Sequence, residues 1–137
     1  MSAGSKIIVK ILTPVGPVLD EEANMVLLPG AKGELGILPG HVSAIFSMDP
    51  GLVKVISSGK STEPLFVFGG FAKIHDNELY ILVDKVCKVS ELDVAEAKNN
   101  LTTFEQELLN LENLNMIAAT ESKAHLARKI LEVSNKH

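Results

Sequence analysis

The side chains best placed for chemistry are Glu34 and His41, seven residues apart in a stretch dense in turn-forming residues. Residues 28–41 contain four glycines and two prolines. Glycine permits positive φ, and proline fixes φ near about −65° and removes a backbone donor. We therefore expect two short strands joined by a turn through residues 30–33, forming a rigid β corner that presents both side chains. On the residues alone, both are better explained as ordinary loop polarity than as a site.

A partial phosphate-binding motif stands at Gly59-Lys60-Ser61. The full motif requires a glycine five positions before Gly59, where this chain has Lys54. The following residues, Thr62-Glu63-Pro64, lead into a strand pattern and not into a helix, so we predict a hairpin turn. Anion sites of this kind need a helix N-terminus. The same objection applies to the glycines of the β corner, which are Gly30, Gly33, Gly36 and Gly40.

Metal and nucleophilic sites have no better support. The four histidines do not fall at ligand spacing, and none has a neighbouring cluster of Cys, Asp or Glu that resembles a zinc site. The Gly-x-Ser-x-Gly pattern of a nucleophile elbow is missing from the sequence. We therefore expect a protein that is not itself an enzyme and has no metal or cofactor.

Composition excludes several classes of partner. The chain has 137 residues, is 46% hydrophobic and carries a net charge of −4, so we expect a folded protein that does not bind nucleic acid. The lone cysteine, Cys87, excludes an intrachain disulfide and indicates a reducing compartment. No apolar run approaches the roughly 20 residues of a membrane span. The N-terminus also lacks the apolar region of a signal peptide. We therefore expect a protein on the cytosolic side, without direct membrane insertion.

The sequence changes character near Ser90, because all ten glycines and all six prolines lie at or before Gly70. We predict two domains, residues 1–89 and 90–137. Short β-rich runs with turn signals every 8–12 residues predict an antiparallel β-sandwich or barrel of about ten strands in the first domain. The predicted strands are 6–12, 15–19, 25–28, 35–38, 42–48, 52–57, 65–68, 71–75, 78–83 and 86–89. Asp76-Asn77, between two of these strands, predicts a hairpin turn, because both residue types tolerate left-handed φ.

Helical spacing governs the second domain, which we expect to begin with an N-cap at Ser90 to Asp93. Apolar residues then recur every three or four positions in two seams. The asparagine-rich segment 110–115 favours a turn and hence an α-helical hairpin. A single continuous helix from Ser90 to Ser134, about 65 Å long, is the alternative. The first seam is Ala97, Leu101, Phe104, Leu108 and Leu111. The second is Ala119, Lys123, Leu126, Ile130 and Val133, with Ala127 and Leu131 beside it, and the charged Lys123 interrupts it.

The segment Gly33-Glu34-Leu35-Gly36-Ile37-Leu38-Pro39-Gly40-His41 resembles the signature of the epsilon subunit of rotary ATP synthases, called delta in mitochondria. Phe68 to Phe71 and Leu79 to Asp84 are similar to the closing strands of that family, and Leu92-Asp93 to the start of its helical part. The family usually has Ala-Pro after the histidine, and this chain has Val42-Ser43.

The resemblance implies a non-catalytic rotor subunit of the central stalk. It would link the gamma subunit to the c-ring and couple proton flow to ATP synthesis, at the cytoplasmic face of the bacterial inner membrane. Glu34 would face the loops of the c-ring and His41 would lie at the rotor contact, in a corner shaped by Gly33, Gly36 and Gly40. The hairpin would regulate ATP hydrolysis, with Lys123, Arg128 and Lys129 directed at the catalytic beta subunit.

Some relatives carry a nucleotide motif at the start of the first helix, Ile/Leu-Asp-x-x-Arg-Ala. This chain keeps Asp93 and Ala97 but has Glu96 in place of the arginine, so we expect no specific ATP binding. Asp93 is then better explained as a helix-start residue than as a ligand. The alternative function is a free-standing adaptor or binding module with the same two folds. Co-purification with gamma distinguishes the two.

Overall fold

A computed structural model describes residues 6–40, 43–108 and 114–136. The chain forms two compact units, residues 1–88 and 89–137. Within the described residues, the first unit contains nine strands and the second a short 3-10 helix and two α-helices. The strands are β1 (Ile7–Thr13), β2 (Gly16–Ala23), β3 (Met25–Gly30), β4 (Gly33–Ile37), β5 (Ala44–Ser57), β6 (Lys60–Ser61), β7 (Leu65–His75), β8 (Glu78–Leu82) and β9 (Val86–Lys88). The helices are Val89–Glu91 (3-10), α1 (Val94–Leu108) and α2 (Leu114–Lys136).

The strands form one sheet in the order β2-β1-β8-β7-β5-β3-β4, with β6 added to β5 and β9 added to β7. Among the described residues the sheet is not closed into a barrel, because β2 and β4 each have a single partner strand. The predicted sandwich is therefore confirmed. The prediction of a purely antiparallel arrangement is wrong at one pair, since β1 and β8 run parallel. Such a pair cannot be joined by a tight hairpin and leaves no local signal in the sequence.

Two long strands replace four of the predicted short ones. Residues 44–48 of the predicted strand 42–48 and the whole of 52–57 belong to β5, and 65–68 and 71–75 are parts of β7. The pairing of β5 with β7 keeps one register from Ala44↔Ile74 to Val53↔Leu65, so Pro50 and the two glycines 69 and 70 do not interrupt it. Beyond Gly70 the other edge of β7 pairs with β8, and before Gly69 it pairs with β9. On this edge β7 therefore changes its partner at Gly69 and Gly70, which both have positive φ (100° and 133°).

Alternating residues of both halves of the sheet share one hydrophobic core. On β1, Ile7, Val9 and Ile11 are fully buried, as the period of two in a strand requires. Each such side chain contributes about 1.5–3 kcal/mol relative to an exposed position. The same cluster includes Val26, Leu28, Ile37, Val53, Val55, Val67, Ile74, Leu79 and Ile81.

Two turns have the left-handed backbone that their residue types favour. Asp76 (φ 48°) and Asn77 (φ 59°) join β7 to β8, which confirms the hairpin predicted there. Ser58 (φ 53°) and Gly59 (φ 76°) join β5 to β6. Asn, Asp and Gly tolerate this region best, which is why two-residue hairpin loops select them. The Gly59-Lys60-Ser61 segment is thus a hairpin turn, as predicted.

The second unit opens with a short 3-10 helix that precedes its first α-helix. A 3-10 turn occupies Val89–Glu91, and α1 starts at Val94. Asp93 is the N-cap, because its Oδ1 accepts a hydrogen bond of 2.9 Å from the N–H of Glu96. The N-cap is therefore the last residue of the predicted segment Ser90 to Asp93, and the interpretation of Asp93 as a helix-start residue agrees with this bond.

Helices α1 and α2 pack against each other, so the alternative of one continuous helix is wrong. The buried residues are Ala97 and Phe104 on α1 and Ala124, Ala127, Ile130 and Val133 on α2. Lys123, the residue that interrupts the second predicted seam, is exposed, and Ala124 is buried beside it. A charged ammonium group cannot be buried without a partner, so the helix turns its neighbour inward. Most of the turn predicted at 110–115 lies outside the described residues.

Within the described parts of the chain, no helix is both long and apolar enough to cross a membrane. Over the same residues, no three side chains of the Cys, His, Asp or Glu type come together in a way that could hold a metal ion.

Candidate functional site

The β corner is a hairpin of β3 and β4 that closes with the pair Gly30↔Gly33. Gly33 has φ 121°, a region that side chains rarely adopt, so the turn depends on glycine at this position. Glu34 follows directly, and 56% of its side chain is exposed. Its carboxylate Oε2 lies 3.9 Å from Nζ of Lys54 on β5. The corner therefore holds a partly paired negative charge at its surface, close to the turn.

Close packing at the base of the corner explains its glycines and prolines. A Cβ at Gly36 would lie 2.9 Å from Cε of Met25, and a Cβ at Gly51 would lie 2.6 Å from Cβ of Pro29. The absence of side chains at these two positions lets β4 and β5 approach β3. At the end of the corner Leu38 is exposed and Ile37 is buried. The corner is thus a packed edge whose surface carries Leu38, the Glu34 carboxylate and the exposed turn residues Ala31 and Lys32.

Of the predicted site residues in the corner, the structure places Gly33, Glu34 and Gly36 on β4 and Gly40 in the turn after it. The backbone N–H of Gly40 donates a hydrogen bond of 2.7 Å to Oδ1 of Asn77. His41 lies outside the described residues. The β7–β8 turn therefore contacts the corner through a side chain that the sequence did not single out.

A further group of contacting side chains was not predicted from the sequence. It consists of Ser43, His75 and Asp76. Oγ of Ser43 is 2.8 Å from Nδ1 of His75, and Nε2 of the same ring is 3.1 Å from Oδ2 of Asp76. These three residue types also make hydrolytic triads, which depend on a water-excluded site. Here all three residues are exposed, so the array is a surface hydrogen-bond chain. Only the Asp76-Asn77 turn signal pointed to this part of the molecule.

A second surface feature is an apolar patch on the outer face of the sheet. Phe71 and Leu82 are cross-strand partners, and both are exposed. Leu12 pairs with Leu82, and the exposed Ile45 on β5 is diagonal to Phe71, two residues from its partner Ser47. A cleft of about 350 Å³ opens next to this patch, between the end of β1 and the Gly70–Phe71 and Leu82–Asp84 segments. Exposed patches of this kind mark contact surfaces more often than chance.

The predicted residues of the helical unit have separate surroundings. Glu96 is exposed and Ala97 is buried in the helix contact. Lys123 and Arg128 are exposed, and Lys129 is partly buried. The guanidinium carbon of Arg128 lies 5.6 Å from the centroid of the Phe104 ring, within cation–π range. The structure thus gives Arg128 a partner on α1, while Asp93 caps that helix.

Comparison with known proteins decides the family. A family model described as the beta-sandwich domain of the ATP synthase delta/epsilon chain matches residues 6–89. This chain belongs to the ATP synthase delta/epsilon family. The resemblance in the signature from Gly33 to His41 is thereby confirmed.

Relatives and solved structures extend the match to the helical unit. The ATP synthase epsilon chain of Granulibacter bethesdensis is 32% identical over 127 residues, 91% of this chain and 94% of the relative. The chloroplastic epsilon chain of Porphyra purpurea is 40% identical over 102 residues, 74% of this chain and 75% of the relative. A chain in the Euglena gracilis mitochondrial ATP synthase structure (OSCP, F1 and c-ring) has the same fold, with a TM-score of 0.82 and 18% identity over 97% of this chain and 84% of its own length. This member of the family therefore has both the sandwich and the helical part of its relatives.

Proposed function

We propose that this chain is a non-catalytic subunit of the central stalk of a proton-translocating ATP synthase, where it links gamma to the c-ring. Family membership supports this function. A chain of similar fold, with a TM-score of 0.68, belongs to a Tetrahymena thermophila structure described as central stalk and c-ring. In this role the sandwich transmits torque at the cytoplasmic face of the bacterial inner membrane. The observation that carries the proposal is the stiff, packed β corner with an exposed carboxylate.

The corner is the proposed contact with the c-ring. Glu34, beside the turn, offers a carboxylate to polar loops, and Leu38 offers apolar area. A packed hairpin suits this contact because a flexible hairpin would lose conformational entropy on binding, and this loss would weaken the affinity. His41 is included in the proposed contact on the strength of the family resemblance.

The apolar patch around Phe71 and Leu82 is the proposed contact with gamma. It lies on the outer face of the sheet and presents exposed aromatic and aliphatic side chains, the types that anchor partner surfaces. Ile45 extends it on β5. Phe71→Ser should weaken binding of the full chain to purified gamma. Val15→Ser is the control, because Val15 is 98% exposed at the β1–β2 turn and outside the patch.

Charge reversal tests the corner contact. Glu34→Lys should loosen attachment to the membrane sector and reduce proton pumping per ATP hydrolysed, while the sandwich stays folded. Glu63→Lys is a matched control: Glu63 is 61% exposed and also pairs with a lysine at 3.9 Å, Lys88. Such exposed pairs contribute only about 0–1 kcal/mol, so neither change should unfold the domain. Unchanged coupling in Glu34→Lys would contradict the assignment, and failure to co-purify with gamma would favour a free-standing adaptor.

The helical hairpin is proposed to regulate ATP hydrolysis weakly, through contact of Lys123, Arg128 and Lys129 with the catalytic beta subunit. The positive charges of these side chains are partly offset by the negative charges of Glu121 and Glu132 on the same helix. Because exposed ion pairs contribute about 0–1 kcal/mol each, deletion of all residues after Asn115 should raise hydrolysis by less than about tenfold. A larger increase, measured on the assembled enzyme, would show that the inhibition is strong.

A further inference from the structure

Two hydrogen bonds tie the end of the β corner to the turn between β7 and β8. The N–H of Gly40 donates to Oδ1 of Asn77 at 2.7 Å, and Ser43 Oγ lies 2.8 Å from Nδ1 of His75. In sequence, one bonded residue, Gly40, precedes positions 41 and 42, and the other, Ser43, follows them. The partners are 37 and 32 residues apart in sequence, so each bond connects distant parts of the sandwich.

Asn77 is well suited to hold this position. Its backbone is left-handed, with φ 59°, as is that of Asp76, with φ 48°. Its carbonyl oxygen accepts a hydrogen bond of 2.9 Å from the N–H of Ile8, at the start of β1. One residue thus connects the first strand, the β7–β8 turn and the corner. Asparagine combines tolerance of this backbone with a side-chain acceptor.

His75 supplies the second bond in either protonation state. Its Nε2 faces the Asp76 carboxylate at 3.1 Å and therefore carries a hydrogen. In the neutral ring Nδ1 is then an acceptor, and the hydroxyl of Ser43 donates to it. In the charged ring Nδ1–H donates and the hydroxyl oxygen accepts. The Ser43–His75 contact consequently does not depend on the charge of the histidine.

We propose that Asn77 and His75 are positioning residues, which hold the β corner in the conformation that binds the c-ring. This inference rests on the proposed function, because it assigns these residues to the corner contact. Without the two bonds the chain around Gly40 and Ser43 would be ordered only on binding, and the ordering cost would reduce affinity. A net hydrogen-bond contribution corresponds to roughly a three- to tenfold loss of affinity for each bond removed.

The test measures binding of the full 137-residue chain to the purified gamma–c-ring assembly, together with hydrogen exchange of the Gly40 amide. Asn77→Gly removes the acceptor but keeps the left-handed backbone, and Asn77→Asp keeps both. Ser43→Ala and His75→Phe each remove the second bond. The matched control is Asn24→Ala, because Oδ1 of Asn24 accepts a hydrogen bond of 2.6 Å from the N–H of Ser58 in another turn.

We expect Asn77→Gly, Ser43→Ala and His75→Phe to weaken binding, with Asn77→Asp and Asn24→Ala close to the unmodified chain. Exchange at Gly40 should accelerate in Asn77→Gly but not in Asn24→Ala. If Glu34→Lys weakens binding and Asn77→Gly does not, the positioning role is wrong and the proposed function stands. If Glu34→Lys also leaves binding unchanged, the corner is not the contact, and the positioning role falls with it.

Discussion

Arg128 on α2 lies over the ring of Phe104 on α1, with its guanidinium carbon 5.6 Å from the ring centroid. Phe104 is buried in the helix contact, whereas Arg128 is exposed. The contact therefore covers the edge of the helix pair with a charged group. It also engages the single arginine of the chain, which the sequence had suggested as a contact for another subunit.

Removal of this guanidinium should destabilise the helix pair. Arg128→Ala should lower its unfolding free energy by about 0.5–1 kcal/mol, the usual size of an exposed cation–π contact. Lys123→Ala is the control, since Lys123 is exposed on the same helix and both changes alter helix propensity similarly. Thermal unfolding followed by helical circular dichroism measures the difference. Equal effects of the two changes, or no coupling with Phe104→Leu in a double-mutant cycle, would contradict the prediction.

ATP should not bind to the isolated chain. Oδ1 of Asp93 already accepts the N–H of Glu96, and Glu96 places a negative charge where some relatives have an arginine. Arg128 is engaged with Phe104. Calorimetric titration with ATP should show no saturable heat below millimolar concentration, and Glu96→Arg should increase any binding by reversing that charge. Saturable binding by the unmodified chain would show that another cation replaces the missing arginine.

Alanine should destabilise the sandwich more at Gly70 than at Gly16, because the space around the two glycines differs while their backbone conformations are similar. Gly70 has φ 133° and Gly16 has φ 126°, so both changes strain the backbone. A Cβ at Gly70 would also overlap the carbonyl oxygen of Leu82, while a Cβ at Gly16 would meet nothing within 4 Å. Gly70→Ala should therefore be about 1–3 kcal/mol more destabilising than Gly16→Ala in urea unfolding. Similar losses for both would indicate that β7 and β8 separate easily.

Tyr80, the only tyrosine, should titrate above its ordinary pKa. Its hydroxyl donates a hydrogen bond of 3.0 Å to Oε2 of Glu78. This bond and the charge of Glu78 raise the pKa of Tyr80 above 10.0, although Lys10 over the ring lowers it. Glu78→Gln should lower the midpoint of tyrosinate absorbance, and Lys10→Met should raise it. Because the folded pKa is the higher one, the associated stability is present below pH about 10 and is lost as pH rises through the folded value. An unchanged midpoint in Glu78→Gln would show that the bond does not persist in solution.

The sequence by itself determined the features that depend on a few neighbouring residues. The turns at Gly30–Gly33, Ser58-Gly59 and Asp76-Asn77 follow from residues that tolerate positive φ or favour turns. The change from β to α structure near residue 89 follows from the loss of glycine and proline and the change of period from 2 to 3.6. The family was also identifiable from one local signature. Glu34, Gly33 and Gly36 were placed in the corner for the same local reasons.

Tertiary structure alone decided which distant segments meet. The parallel pairing of β1 with β8, the continuous β5 and β7, and the contacts of Gly40 with Asn77 and Ser43 with His75 all join residues far apart in the chain. Their partners are set by sheet register and by burial of a shared core, which no short window of sequence contains. The inward position of Ala124 beside Lys123 has the same origin, because only the packed α1 surface specifies which residue of α2 turns inward.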